Sequence, residues 1–332
     1  QSLLVLGLLG LLTPPAAASA GLAGLVLAWP RIRALPAALA SRRVIGGPEL
    51  SWLESICLGI LAYALAHSFL QALSPPTDRD ALCYHLSLPR IYLRTGRIEE
   101  IPWLLFSHWP HLAETVYSLP LMFRLDAAAA LLHFACFAAL LAAVFRFARG
   151  RFGRPAAFMA AAALAAQPAL VWFAGTPRAE AWWALYHFLA LEGLWRWRRS
   201  GRRPDLIRAS LMAGLGACVK LWGVIPVLLW ALWVASRRGL PAGRRGREAA
   251  AFLATALSIC SPWYLKTWLG TGNPVWPFLS GLFPGDWGAA AVVARNIEFG
   301  RWRWPFDWAI ARRYAPEALL LPLAISAVQR RL

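Results

Sequence analysis

Lysine is nearly missing from this chain: of its 34 basic residues only Lys220 and Lys266 are lysine, and the rest are arginine. Charge of any kind is scarce, at 15% of 332 residues against about 25% in soluble domains. That scarcity excludes an ordinary water-soluble globule, and the 59% hydrophobic content excludes disorder. The five cysteines include no CxxC pair, which excludes a small disulfide scaffold. Cys57, Cys136, Cys218 and Cys260 lie in apolar runs, and Cys83 stands alone in a polar loop. There is no Gly-rich phosphate loop, Walker motif or Ser/His/Asp order, which argues against a soluble nucleotide substrate. Repeats and low-complexity linkers are also missing, so residues 1–332 are read as one domain.

What the chain does have is long uncharged runs, at 1–30, 55–77, 127–145 and 155–177. A helix needs about 20 apolar residues to cross a bilayer core, so these runs predict a polytopic, all-α transmembrane bundle of about ten segments. The expected crossings are 1–13, 16–30, 50–73, 127–145, 155–175, 180–195, 249–268 and 316–328, with a short hairpin over 209–235 carrying Lys220 near its tip. Arginine clusters at 31–43, 146–154, 196–208, 237–247 and 330–331 alternate with these runs, and most of the 16 acidic residues sort to the other side. The net charge of +18 therefore reads as a topology signal. A nucleic-acid partner would need the arginines on one continuous face, so none is expected.

Two long extracytoplasmic loops are expected, at 74–125 and 270–316, and loops of that length are usually functional. Both are rich in Trp, Tyr and Arg, which suits helices lying in the membrane interface. No basic segment precedes the apolar run after Gln1, which does not support a cleavable signal peptide. The chain also stops just past a short span, and it is expected to be a fragment.

The first loop holds the most informative stretch, SPPTDRDALCYHLSLPRIYLRTGRIEEIPW. Pro75 and Pro76 end a span, Thr77 or Asp78 can cap a new helix, and Asp80 falls in its first turn, where the helix dipole favours an ionised carboxylate. At helical spacing Asp80 and Tyr84 share a face, with His85 one step round. Arg90, Arg94, His108, His111 and Glu114 gather in the same loop. His108 and His111 have a spacing that permits a metal site, although the proline between them and the lack of a second ligand cluster count against it. Further on, Arg178 and Glu180 top a span, with His187 and Glu192 deeper. In SPWYLKTWLGTGNPVWPF, Gly272, Asn273 and Pro274 make a turn and Lys266 is placed to hold an anionic head group. The plainer readings are helix caps, interfacial anchors and an aromatic belt.

DALCYHLSLPRIYLRTGRI after an early span, WPHLAETVYSLPLMF, GLGACVKLWG and PWYLKTWLGTGNPVWPF together resemble the GT-C superfamily of membrane glycosyltransferases. The resemblance is to bacterial relatives of protein mannosyltransferases and of the lipid A aminoarabinose transferase, and it touches most of residues 74–285. It implies a multi-pass protein of the bacterial cytoplasmic (inner) membrane. The activity it implies is inverting transfer of a sugar from a polyprenyl-phosphate donor to an acceptor hydroxyl at the extracytoplasmic face. The essential acid of the first loop maps onto Asp80, with Asp78 next. The substrate-binding set would be Tyr84, His85, Arg90, Glu114, Arg178, Glu180, Lys220, Lys266 and Asn273, the cations meeting the lipid phosphate. No cofactor is required, and a divalent metal at His108 and His111 is compatible with the superfamily. The chain departs from the pattern in its Asp78-Arg79-Asp80 triplet, in Glu180 where relatives often show Asp, and in missing C-terminal spans that would bind the unknown acceptor. Two other classes remain open: a transporter or flippase of a lipid-linked sugar, and a non-catalytic membrane assembly subunit.

Overall fold

Ser51 and Glu54 open the first long apolar helix with a reciprocal cap: the Ser51 hydroxyl accepts from the Glu54 amide at 3.3 Å, and the Glu54 carboxylate accepts from the Ser51 amide at 2.9 Å. In the structure, a computed structural model, residues 1–41, 49–237, 239, 241–279 and 282–283 are described. Among them the chain is all-helical, without strands. In order the helices are α1 (Ser2–Leu8), α2 (Pro14–Ser41), α3 (Trp52–Leu73), α4 (Ser87–Thr95), α5 (Leu112–Leu121), α6 (Asp126–Ala165), α7 (Pro168–Ala174), α8 (Glu180–Ser200), α9 (Arg203–Ala217), α10 (Val224–Ala235) and α11 (Ala242–Thr271).

Two of them, α3 and α6, are long and apolar enough to cross a membrane by length and composition, with mean hydropathies of 1.7 and 2.3. The expected crossing at 1–13 is not one spanning helix. α1 has seven residues, about 10 Å of rise, and the chain then turns at Gly10 and pairs Leu12 with Gly96. The arginines at 146–154 do not lie in an extended loop either. Helix continues through them and kinks at Gly153, whose φ of +86° suits a residue without Cβ. Phe145 meets Phe158 edge-on at 5.1 Å, so the two limbs of α6 fold back on each other. The second limb breaks before Pro168 instead of running to 175. Arg154 clasps the buried Glu54 at 2.7 Å, tying this kink to the start of α3.

The core lies where α5, α8, α9 and α11 meet, around Tyr117, Trp197, Phe252 and Trp263. Small residues let the backbones approach closely. A Cβ on Gly214 would stand 2.6 Å from the Ala256 carbonyl, and one on Gly193 2.9 Å from the Ala209 Cβ. α8 and α9 form an antiparallel hairpin through Gly201, and α11 runs alongside α9, Arg203 grouping with Arg244 and Arg247 at its start. Near the other end of that pair, Tyr264 donates to the carbonyls of Ala217 and Leu221. The expected hairpin over 209–235 takes the form of α9, a short turn at Leu221–Gly223 and α10, with Lys220 in the connection. The first long loop is itself helical, containing α4 and α5. The crossing at 316–328, most of the 270–316 loop, Arg42 and Arg43 of the 31–43 cluster and all of 330–331 lie outside the described residues.

Candidate active site

Pro75 and Pro76 end α3, and the chain restarts at Asp78, whose carboxylate accepts from the Ala81 amide at 2.9 Å. The next turn is a π-helix, Ala81–His85, closed by the Leu86 amide on the Ala81 carbonyl. A π turn adds a residue to the helical circuit and recurs at functional sites. It widens the spacing expected from an α-helix, so that Tyr84 and His85 both turn toward the loop's own core. Tyr84 stacks on Phe106 with ring centroids 4.0 Å apart and packs at the same distance from His85. His85 Nδ1 donates to Glu114 Oε1 at 2.5 Å, and both side chains are buried.

Arg178 sits in the short connection between α7 and α8. Tyr117 holds its carbonyl through the phenol hydroxyl, and Trp182 donates to that phenol oxygen at 3.0 Å. The guanidinium meets three carboxylates. Nη1 reaches both oxygens of Asp78 at 2.8 and 3.0 Å, Nη2 reaches Asp80 at 2.8 Å, and Nε reaches Glu180 at 3.2 Å. Phe173 covers one face of the fork at 4.3 Å. Lys220 closes the network on Glu180 at 2.7 Å. Five residues expected from the sequence, Asp78, Asp80, Arg178, Glu180 and Lys220, thus form one hydrogen-bonded group drawn from three separate segments. Asp80 is its outward member: its side chain is 42% exposed against 13% for Asp78, and Oδ1 has no hydrogen-bond partner among the described residues.

The surrounding charges set protonation. Burial opposes the Arg178 cation, but Glu180, Asp78 and Asp80 outweigh it and raise its pKa. Burial, with the negative charges of Asp80 and Glu114, pushes the Tyr84 phenol well up, so it is a donor at neutral pH. Burial would raise Glu114, yet the hydrogen bond and charge of His85 hold its carboxyl below the usual carboxylate range. His111 is pushed down to about 3 by burial and stays neutral.

Several expected site residues go elsewhere. Arg90 pairs with Asp126 at 2.7 Å, away from the cluster. Lys266 is buried on the Ser107 carbonyl at 2.8 Å and beside Glu100 at 3.5 Å, so it pins α11 to the first loop. Asn273 is consumed by its own turn, its amide donating to the Phe278 carbonyl and accepting from the Val275 amide. His108 pairs with Glu100 at 3.0 Å, whereas His111 packs between Tyr92 and Trp263. The two histidines therefore do not converge, and no group of three His, Cys, Asp or Glu side chains arranged for a metal is found among the described residues.

Three contributors were missed in the sequence. Phe106 supports Tyr84, and Glu100 ties His108 to Lys266. Arg79 is exposed between Asp78 and Asp80, with no acidic partner among the described residues. Its place inside the acidic triplet was the available signal. Arg178 and Lys220 are occupied by acids, which leaves Arg79 as the exposed cation next to Asp80. Comparison of the chain with protein families, curated proteins and solved structures finds no match.

Proposed function

We propose that the chain is a multi-pass membrane glycosyltransferase of the GT-C type, moving a sugar from a polyprenyl-phosphate donor to an acceptor hydroxyl on the extracytoplasmic side of a bacterial inner membrane. The observation that carries this reading is the Arg178-centred network, which fixes Asp80 by one oxygen and leaves the other toward solvent. A carboxylate held that way can accept a hydroxyl proton while the oxygen attacks the anomeric carbon and the lipid phosphate departs, inverting the centre. Arg178 acts as a positioning residue, and Arg79 takes the role of meeting the phosphate in place of Arg90 and Lys266. An apolar groove of about 840 Å3 along α2, α5 and α6 suits part of the polyprenyl chain.

The membrane setting is supported by length and by charge. From Glu180 to Arg199, α8 rises about 29 Å, close to the thickness of a bilayer core of about 30 Å, with acids gathered at one end and arginines at the other. Large apolar side chains are exposed along α2, α3, α10 and α11, among them Leu27, Trp52, Leu232 and Leu269.

The test is label transfer from polyprenyl-phosphate mannose or aminoarabinose in membranes carrying the wild type or Asp80→Asn. The proposal expects the variant to lose about 10²–10⁴-fold in rate without loss of folded protein. Transfer at the wild-type rate would overturn it. The break between α9 and α10 at Lys220 favours a second reading, a transporter of the same lipid-linked sugar, because broken helices bind substrates in such proteins. Flux into liposomes without label transfer would select that reading.

A further inference from the structure

At the end opposite Asp80, α6, α8 and α9 converge on a cleft of about 470 Å3 lined by Arg146, Glu192, Arg196, Asp205, Arg208 and Met212. Its acids are held by hydrogen bonds from within. Buried Glu192 accepts from Arg146 at 3.0 Å and Arg196 at 2.6 Å, and Asp205 accepts from the Ser200 hydroxyl at 2.9 Å. Arg208 approaches Asp205 only to 3.8 Å. The guanidiniums keep their outer edges open: the side chains of Arg146, Arg196 and Arg208 are 50%, 48% and 71% exposed. Three arginines against two carboxylates leave one positive charge uncompensated. Leu189 and Met212, both half-buried, give the cleft an apolar wall.

We infer that this cleft binds the phosphodiester of an acidic phospholipid. One negative phosphate balances the remaining charge, the planar forks of Arg196 and Arg208 match its oxygens, and the acyl chains leave the cleft over Leu189 and Met212. A free anion would make no use of this apolar wall. The inference rests on the membrane placement proposed above and is independent of sugar transfer.

The test is native mass spectrometry of the purified chain in neutral detergent, titrated with phosphatidylglycerol, phosphatidylcholine or inorganic phosphate. Phosphatidylglycerol should bind at least about fivefold more tightly than phosphatidylcholine, since each arginine near an acidic lipid surface contributes about fivefold. Arg196→Gln with Arg208→Gln should weaken it about tenfold, because Glu192 keeps Arg146 and Asp205 keeps Ser200, leaving the fold intact. The neighbouring pair Arg199→Gln and Arg202→Gln should change it less than twofold. Equal losses from both pairs, equal binding of the two lipids, or inorganic phosphate binding as tightly as phosphatidylglycerol would each overturn the inference. Alkaline carbonate extraction separates the two premises: release into the supernatant overturns the membrane placement and the lipid site together, whereas retention with equal losses overturns the cleft alone.

Discussion

At one end of the molecule a guanidinium is enclosed by three carboxylates, and at the other a carboxylate is enclosed by two guanidiniums. Arg178 is 8% exposed and its partner Asp80 faces outward, whereas Glu192 is 5% exposed and its partners Arg146 and Arg196 face outward. The same ion-pair chemistry therefore presents opposite charge at the two ends. The buried member is the organiser, and the exposed member is what the proposed donor or lipid would meet. At the Arg178 end that leaves a half-exposed carboxylate beside an exposed arginine, and at the Glu192 end a group of half-exposed arginines.

The contrast is sharpened most by activity. Asp80→Asn is expected to cut sugar transfer by about 10²–10⁴-fold, while Arg196→Gln leaves transfer unchanged in the same assay. Equal losses from both would erase the difference in role between the ends. Stability should separate the two organisers next. Arg178→Met strands Asp78 and Asp80 and leaves Glu180 with Lys220 alone, and should cost about 3–5 kcal/mol in detergent unfolding. Glu192→Gln leaves two half-exposed arginines in water and should cost about 1–2 kcal/mol. A larger cost for Glu192→Gln would reverse the proposed order.

A pH dependence is expected from the first loop, where buried His111 packs between Tyr92 and Trp263. His111 takes up a proton near pH 6.5 in the unfolded chain but only near about 3 when folded. Its contribution is therefore complete above pH 6.5 and is lost as the pH falls toward 3. The unfolding midpoint of the wild type should fall between pH 7.5 and 4.5, and that of His111→Phe should fall less. Identical slopes would remove His111 from the account.

Charge in an apolar sequence is conspicuous, which is why Asp78, Asp80, Arg178, Glu180 and Lys220 could all be singled out before their geometry was known. Their arrangement was not legible, because Arg178 lies 100 residues from Asp78 and nothing local marks it as the hub. Arg90 and Asn273 were assigned to substrate because their partners, Asp126 and the carbonyl of Phe278, are set by tertiary path and turn geometry. Local hydropathy predicted helix at 1–13 and 155–175, and missed that Gly10 and the step before Pro168 interrupt both. The π turn at Ala81–His85 left no mark in composition, yet it decides where Tyr84 and His85 point.

The central claim is that the Asp80 cluster faces the side of the membrane away from the cytoplasm. Cys83, three residues from Asp80, is exposed, and the other four cysteines are buried. A membrane-impermeant maleimide applied to intact spheroplasts measures that claim directly. The account predicts labelling of the wild type without permeabilisation and none of Cys83→Ser. Labelling that requires lysis of the spheroplasts would contradict it.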